Sequence, residues 1–334
     1  MLALFFNSDW VSSAALERTF ERISKALDRP VPQGDLPARF KAALKELEGS
    51  VLEIEDRTVS FSNPGVQDFL QRVVAEDRLL PSVIRVVEEF AEFQQSWAVW
   101  CAQKSTSAAM ETMAAAWAAA ASRLLYAADG NPLQRLALMI NLYDRLKTDE
   151  LAILVDHAIN DLSQQEIEGD EADEARSVLE QLTLSLLPME ILDKAKEVVT
   201  AAVASMLRDY GFGLSLDTIK SVTESLFEHG SDENSAAEAS TTALKGYLDD
   251  LDSVLSDITS VGDLETFEQE LTTLMDDYGV TDTMVASSIN HRRDELLEYE
   301  SRYDDEDRGW SPADSPGYMS DDDIRSLFGA LREV

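Results

Sequence analysis

Apolar residues recur every three or four positions along most of the chain, and this spacing predicts amphipathic helices. From about Pro81 to Arg302 the pattern predicts helices alone. One long helix is predicted to carry a line of apolar side chains: Val83, Ile84, Val87, Phe90, Phe93, Trp97 and Trp100. An Ala-rich helix with Met110, Met113 and Trp117 follows, and then helices whose caps are predicted at Asn131 and Thr148. Further helices are predicted around residues 180, 200, 222, 247, 270 and 292.

Residues 1–75 show a different pattern. After a short apolar helix at Met1–Phe6, Ser12 or Ser13 is predicted to cap a helix, and a second helix runs from Ala38 to Glu48. Polar and apolar residues then alternate through Val51–Ile54 and Val59–Phe61, which predicts a β-hairpin. A helix beginning near Pro64 closes the segment. This order predicts a small winged-helix-like module.

The whole chain is therefore predicted to be mainly α, with three regions. Residues 1–75 form the winged-helix-like module, and residues 76–302 form an all-helical sensor or interaction domain. Short connections between the helices predict stacked antiparallel pairs, in a multi-helix bundle or an irregular α-solenoid of helical repeats.

Residues 303–334 are predicted to form a flexible acidic linker with a terminal amphipathic helix. Four apolar residues of that helix share one face: Ile324, Leu327, Phe328 and Leu331. Such a face would dock into a groove of a partner or pack back on its own protein.

The charge of the chain narrows the choice of partners. Lys and Arg number 28 against 64 Asp and Glu, for a formal net charge of −36. Residues 1–75 carry 9 basic and 11 acidic residues, which leaves 19 basic and 53 acidic residues for the rest. A field of this sign repels nucleic acid and anionic lipid, so DNA and membranes are not the expected partners.

Composition also indicates a compartment. The single cysteine, Cys101, excludes an internal disulfide framework and is typical of a reducing cytosol. The apolar start lacks a basic segment before it, and no run of about 18 apolar residues occurs, so neither a signal peptide nor a membrane span is predicted. We expect a cytoplasmic protein.

Motifs for catalysis or for metal and cofactor binding are lacking in the sequence. It contains no P-loop, and Gly211-Phe212-Gly213 lacks the third glycine of a dinucleotide site. His157, His229 and His291 lie far apart, and the acidic runs near Asp304 and Asp249 lack the spacing of a calcium loop. Cys101 and the aromatic line from Phe90 to Trp100 are predicted to belong to the core. No cofactor is predicted for this chain, and it is predicted not to be an enzyme, although a helical bundle can assemble a site from distant residues.

Two stretches of the first module match a known pattern. They are Phe40–Ser50, with the sequence FKAALKELEGS, and Val59–Leu70, with the sequence VSFSNPGVQDFL. They resemble the winged-helix end of bacterial STAND-class P-loop NTPases, in which a strand runs into an F-H-N-P-S-[IV]-R-D-F-like stretch. Here Ser62, Gly65 and Gln67 stand where that pattern has His, Ser and Arg.

The resemblance implies a C-terminal piece of such a protein, from a truncated or split gene. ATP binding and any effector activity would then belong to a separately encoded subunit. It also implies that five residues hold the wing against neighbouring domains: Phe61, Asn63, Pro64, Asp68 and Phe69.

The resulting hypothesis is a non-catalytic sensor or adaptor of bacterial antiphage defence or signalling that acts by protein–protein interaction. One alternative is a DNA-binding regulator that uses Arg39, Lys41 and Lys45 of the second helix. Another is an acidic immunity protein or DNA mimic that inhibits a basic nuclease.

Overall fold

A computed structural model describes residues 1–7, 10–27, 35–76, 79–102, 107–125 and 131–309. The chain is mainly helical, as predicted. Its first part follows the predicted order of helix, helix, hairpin and helix: α1 (Leu2–Phe5), β1 (Val11–Ser12), α2 (Ser13–Ala26), α3 (Leu36–Leu47), β2 (Leu52–Glu55), β3 (Thr58–Phe61) and α4 (Pro64–Glu76).

The predicted hairpin is confirmed as β2 and β3, which pair antiparallel with Leu52 opposite Phe61. The strand β1, which the sequence pattern did not predict, adds to the other edge of β3, so the sheet order is β1-β3-β2. Val59 lies in the central strand and is fully buried. The turn between β2 and β3 consists of Asp56 and Arg57, both with positive φ.

The prediction of one long helix from Val83 to Trp100 is wrong. The chain forms α5 (Leu80–Ile84) and α6 (Phe90–Ala102), with a break between them. The break has a local cause, because the carboxylate of Glu92 accepts hydrogen bonds from the backbone N–H groups of Glu88 and Glu89. Acceptors of this kind satisfy the donors that a helix start leaves unpaired. The apolar line is buried all the same.

The remaining helices are joined by short connections. They are α7 (Ser107–Leu124), α8 (Pro132–Leu146), α9 (Asp149–Leu162), α10 (Ala172–Leu184), α11 (Met189–Tyr210), α12 (Leu216–His229), α13 (Glu233–Asp249), α14 (Leu251–Asp257), α15 (Val261–Asp277) and α16 (Val285–Gly309). Short 3-10 helices lie at Gly169–Glu171 and Gly211–Gly213. The predicted caps at Asn131 and Thr148 are confirmed, since each side chain accepts a hydrogen bond from a backbone N–H three residues later.

Helices α8 to α11 pack as two adjacent antiparallel pairs. Helices α8 and α10 run in the same direction, because Gln134 bonds Glu174 near their starts and Ser185 bonds Asp144 near their ends. Helices α9 and α11 therefore also share a direction. An ion pair of 2.5 Å between Lys194 and Asp156 fixes their register.

The chain divides into two compact units. The first contains Met1–Tyr210 with Asp217–Ser240, so the predicted module of residues 1–75 shares a unit with the helices that follow it. Of the residues that the structure describes, the second contains Gly211–Leu216 and the chain from Thr241 to Gly309. Within it, α16 packs on α14 and α15 and runs to Gly309, past the start of the predicted linker at residue 303. Among the described residues, every helix is too short or too polar to cross a membrane.

Candidate interaction site

The side chains considered for chemistry in the sequence are dispersed in the structure. His157 and His291 are exposed, and His229 is half-buried beside Glu228. Within the part of the chain that the structure describes, His, Cys, Asp and Glu side chains form no group of three or more that would hold a metal ion. Burial raises the pKa of the Cys101 thiol, and the nearby charge of Arg145 offsets this only in part.

The aromatic line of α6 lies in the core, as predicted. Phe93 and Trp97 each pack edge-on against Trp117 of α7, with ring centroids about 5 Å apart. The indole N–H of Trp97 donates to Asn141 of α8 over 3.0 Å. Trp100 stacks on Trp97 and lies under the Arg145 guanidinium. The rings are thus buried against one another, as core side chains are.

The five predicted wing residues lie on the surface of their own chain. Asn63 caps α4, since its side-chain oxygen accepts from the N–H of Gly65 over 2.8 Å. Phe61 is half-buried, and Asn63, Pro64 and Asp68 are exposed. Phe69 is 54% exposed. Contact of these residues with a neighbouring domain stays a prediction, and the predicted terminal helix with Ile324, Leu327, Phe328 and Leu331 lies outside the described residues.

The first module exposes acidic side chains as well as the cationic ones of α3. Arg39, Lys41 and Lys45 are all exposed, as a DNA-binding helix would require. On the same helix Glu46 is exposed, and the adjacent strand β2 exposes Glu53 and Glu55. Among these residues the module therefore exposes charges of both signs.

Sequence reasoning missed a buried ionic cluster that joins the first module to α6. The side chain of Glu92 is 3% exposed, and its carboxylate accepts from Arg22 at 2.5 and 3.0 Å and from the Thr19 hydroxyl at 2.7 Å. Arg22 also donates to the carbonyl of Val86. The cluster links α2 to the start of α6. The sequence does contain one signal for this cluster, which is the acidic residue Glu92 in the first turn of α6.

A second feature that the sequence pattern did not single out is the loop between α10 and α11. Three large apolar side chains of this loop and of the helix ends that flank it point to solvent: Leu184 is 83% exposed, Leu186 58% and Met189 77%. We call these three residues the apolar loop patch. Between them Leu187 is buried and anchors the loop.

Hydrogen bonds hold this loop in one conformation. The carboxylate of Asp144 in α8 accepts from the Ser185 hydroxyl over 2.9 Å and from the Leu186 N–H over 2.7 Å. The Ser185 hydroxyl in turn accepts from the N–H of Leu187 over 3.3 Å. The three apolar side chains thus project from an ordered backbone. Leucines next to Pro188 would ordinarily be assigned to the core, and the sequence lacked any signal that they face outward.

A groove lies between α7 and α9. It has a volume of about 630 Å³ and is lined by small residues from Ala114 to Ser122 and by Ile153 and Leu154. Ile153 is 58% exposed. Helices α9 and α11 run in the same direction, and Asp156 of α9 pairs with Lys194 of α11. Ile153 lies about one turn before Asp156, and Met189 lies before Lys194. Ile153 and the apolar loop patch are therefore toward the same end of the two helices.

The most distinctive surface of the described chain is therefore apolar and ordered. Large exposed apolar clusters on ordered backbone typically mark places where another macromolecule binds. Comparison with known proteins adds no assignment, because no family model, curated protein or solved structure matches this chain.

Proposed function

We propose that this chain is a non-catalytic adaptor that binds other proteins and is related to the winged-helix and helical sensor part of STAND-type NTPases. The observation that carries the proposal is the apolar loop patch, with Leu184, Leu186 and Met189 exposed on a backbone that Asp144 holds in place. A patch of this kind costs hydration free energy in the isolated protein, and a bound partner removes that cost.

Two aspects of the fold support the relationship. The sheet order β1-β3-β2, with α2 and α3 between the first two strands in sequence, is compatible with a winged helix. The adjacent pairs α8–α9 and α10–α11 pack in the way that helical sensor arrays do. The exposure of Phe69 leaves the wing surface open to a separately encoded ATPase or effector subunit.

Affinity capture from the cells that encode the protein tests the proposal. We expect the tagged full chain to retain a defined partner in a fixed ratio, and the triple variant Leu184→Ser, Leu186→Ser, Met189→Ser to lose it. Met284→Ser is the matched control, because Met284 is 66% exposed in the other compact unit. Equal retention of every protein by the parent and the triple variant would contradict the proposal.

The terminal segment is tested in the same way. If Ile324, Leu327, Phe328 and Leu331 anchor a partner, deletion of residues 320–334 weakens capture. Unchanged capture would remove that segment from the proposal and leave the apolar loop patch as the site.

The exposed cations of α3 favour one other function, which is DNA binding by the first module. A mobility shift that weakens with salt and is lost in Lys41→Glu would support it. The acidic side chains of α3 and β2 count against it. No retardation of duplex DNA at low salt would exclude it.

A further inference from the structure

The charges around the apolar loop patch are mostly of one sign. Glu180 lies one turn before Leu184 in α10, and Glu190 and Asp193 follow Met189 in the first turns of α11. All three are exposed, and Glu180 lies 3.9 Å from Arg176 of the same helix, so Glu190 and Asp193 carry the unbalanced negative charge. Of the cations at the end of α8, Arg145 is directed to Trp100 and to the Cys101 carbonyl, and Lys147 is exposed. The patch is thus apolar with a predominantly anionic rim, on a chain of net charge −36.

The backbone of the patch is ordered before any partner binds. The hydrogen bonds from Ser185 and Leu186 to Asp144, together with the buried side chain of Leu187, fix the positions from which Leu184 and Met189 project. Ordering a flexible loop on binding would subtract from the affinity, and that cost is already met here. The arrangement suits recognition of a partner with a matching shape.

The neighbouring surface suits an elongated partner. Ile153 is exposed at the groove between α7 and α9, whose Ala side chains allow a close approach, and it lies toward the same end of α9 and α11 as the loop. A helix with apolar residues at three- and four-residue spacing presents a single apolar face that would cover Leu184, Leu186 and Met189. Cationic residues beside that apolar face would pair with Glu190 and Asp193.

We propose that the apolar loop patch binds an amphipathic helix of a partner protein whose apolar face is flanked by Lys or Arg. The proposal rests on the adaptor function and adds the chemical class of the partner. Apolar contact supplies most of the affinity, and the charges orient the helix and speed association.

A synthetic peptide tests this without knowledge of the natural partner. The probe is a labelled helix of about 18 residues, long enough to be partly helical alone, with Leu on one face and Lys on the other. Its binding to the full chain is followed by fluorescence anisotropy over a series of salt concentrations. A peptide of the same composition without an amphipathic face, and one with Glu in place of Lys, are the controls.

Two variants separate the patch from the general negative field. We expect Leu184→Ser, Leu186→Ser, Met189→Ser to weaken binding about tenfold or more, as loss of central apolar contacts does. Glu190→Lys is expected to weaken it several-fold at low salt and less at high salt. Met284→Ser and Glu265→Lys, exposed positions of the same types elsewhere, should bind like the parent.

Each outcome decides the proposal. The proposal would be overturned if the triple variant bound the peptide as tightly as the parent, or if the peptide without an amphipathic face bound as tightly as the amphipathic one. Either result would mean that the peptide is attracted only by the net negative charge of the chain. If the peptide does not bind the patch but the triple variant still loses its cellular partner, the adaptor function is supported and the proposed class of partner is wrong. Circular dichroism of each variant establishes that its helices are intact.

Discussion

We expect the stability of the first part of the chain to depend strongly on the charge of Glu92. Its buried carboxylate meets Arg22, Thr19 and two backbone N–H groups. Removing one partner of a buried ion pair leaves an uncompensated charge, at a cost of about 3–5 kcal/mol. We expect Glu92→Ala to lower the free energy of unfolding toward the lower end of that range, because Arg22 is 16% exposed and also lies near Glu88.

Urea denaturation followed by tryptophan fluorescence measures this loss. The exposed pair of Lys25 and Glu21 is the control, since Lys25→Ala should cost less than about 1 kcal/mol. The double variant Arg22→Met, Glu92→Leu should be more stable than Glu92→Ala, because it removes both charges. A Glu92→Ala protein as stable as the parent would show that the cluster does not stabilise the packing of α2 against α6.

The sequence pattern identified elements where a local signal determines structure. Ser12, Asn131 and Thr148 cap helices because their side chains reach N–H groups three residues on, a purely local interaction. The strand β1 has only the two residues Val11 and Ser12, too few for an alternating pattern, and it exists because β3 offers an edge. The break before Phe90 combines a local cap by Glu92 with the tertiary contacts of Glu92 to Arg22 and Thr19. The outward side chains of the apolar loop patch depend on the contact of the loop with Asp144.

The hairpin of β2 and β3 has a tight turn whose residues are not ideal for it. Asp56 and Arg57 have φ of 44° and 76°, a region that favours glycine. Arg57→Gly should therefore raise the free energy of unfolding by roughly 0.5–1 kcal/mol. The matched control is Arg39→Gly in α3, expected to lower it by about 1 kcal/mol. Thermal melts of both variants decide the matter, and destabilisation by Arg57→Gly would mean that the Arg57 side chain has a structural role.

The segment Gly211–Gly213 contains two glycines with opposite surroundings. A β-carbon at Gly211 would lie 2.5 Å from Cα of Ala243 in α13, whereas one at Gly213 would meet no atom within 4 Å. Gly211→Ala should cost about 1–3 kcal/mol, since backbone atoms cannot yield as a flexible side chain can. Gly213→Ala should change stability by no more than about 0.5 kcal/mol. Equal melting temperatures for the two variants would contradict the close approach of Gly211 to α13.

The charge of the whole molecule makes its stability depend on salt. With a net charge of −36, folding concentrates carboxylates that lie farther apart in the unfolded chain. Raising NaCl from about 0.02 M to about 0.3 M shortens the Debye length from roughly 20 Å to roughly 6 Å, which screens this repulsion. We expect the melting temperature to rise by about 1–2 °C for each kcal/mol of repulsion relieved.

The same salt also weakens favourable ion pairs. Whether this loss exceeds the relief of repulsion depends on how exposed the ion pairs are. Pairs such as Lys25–Glu21 and Arg176–Asp173 are open to solvent and contribute little, whereas the buried pair of Arg22 and Glu92 is poorly screened. Differential scanning calorimetry in NaCl and in NaClO4 separates screening from ion-specific effects, because screening is equal in both salts. A melting temperature that falls with NaCl would show that attraction between opposite charges outweighs the repulsion among the excess carboxylates.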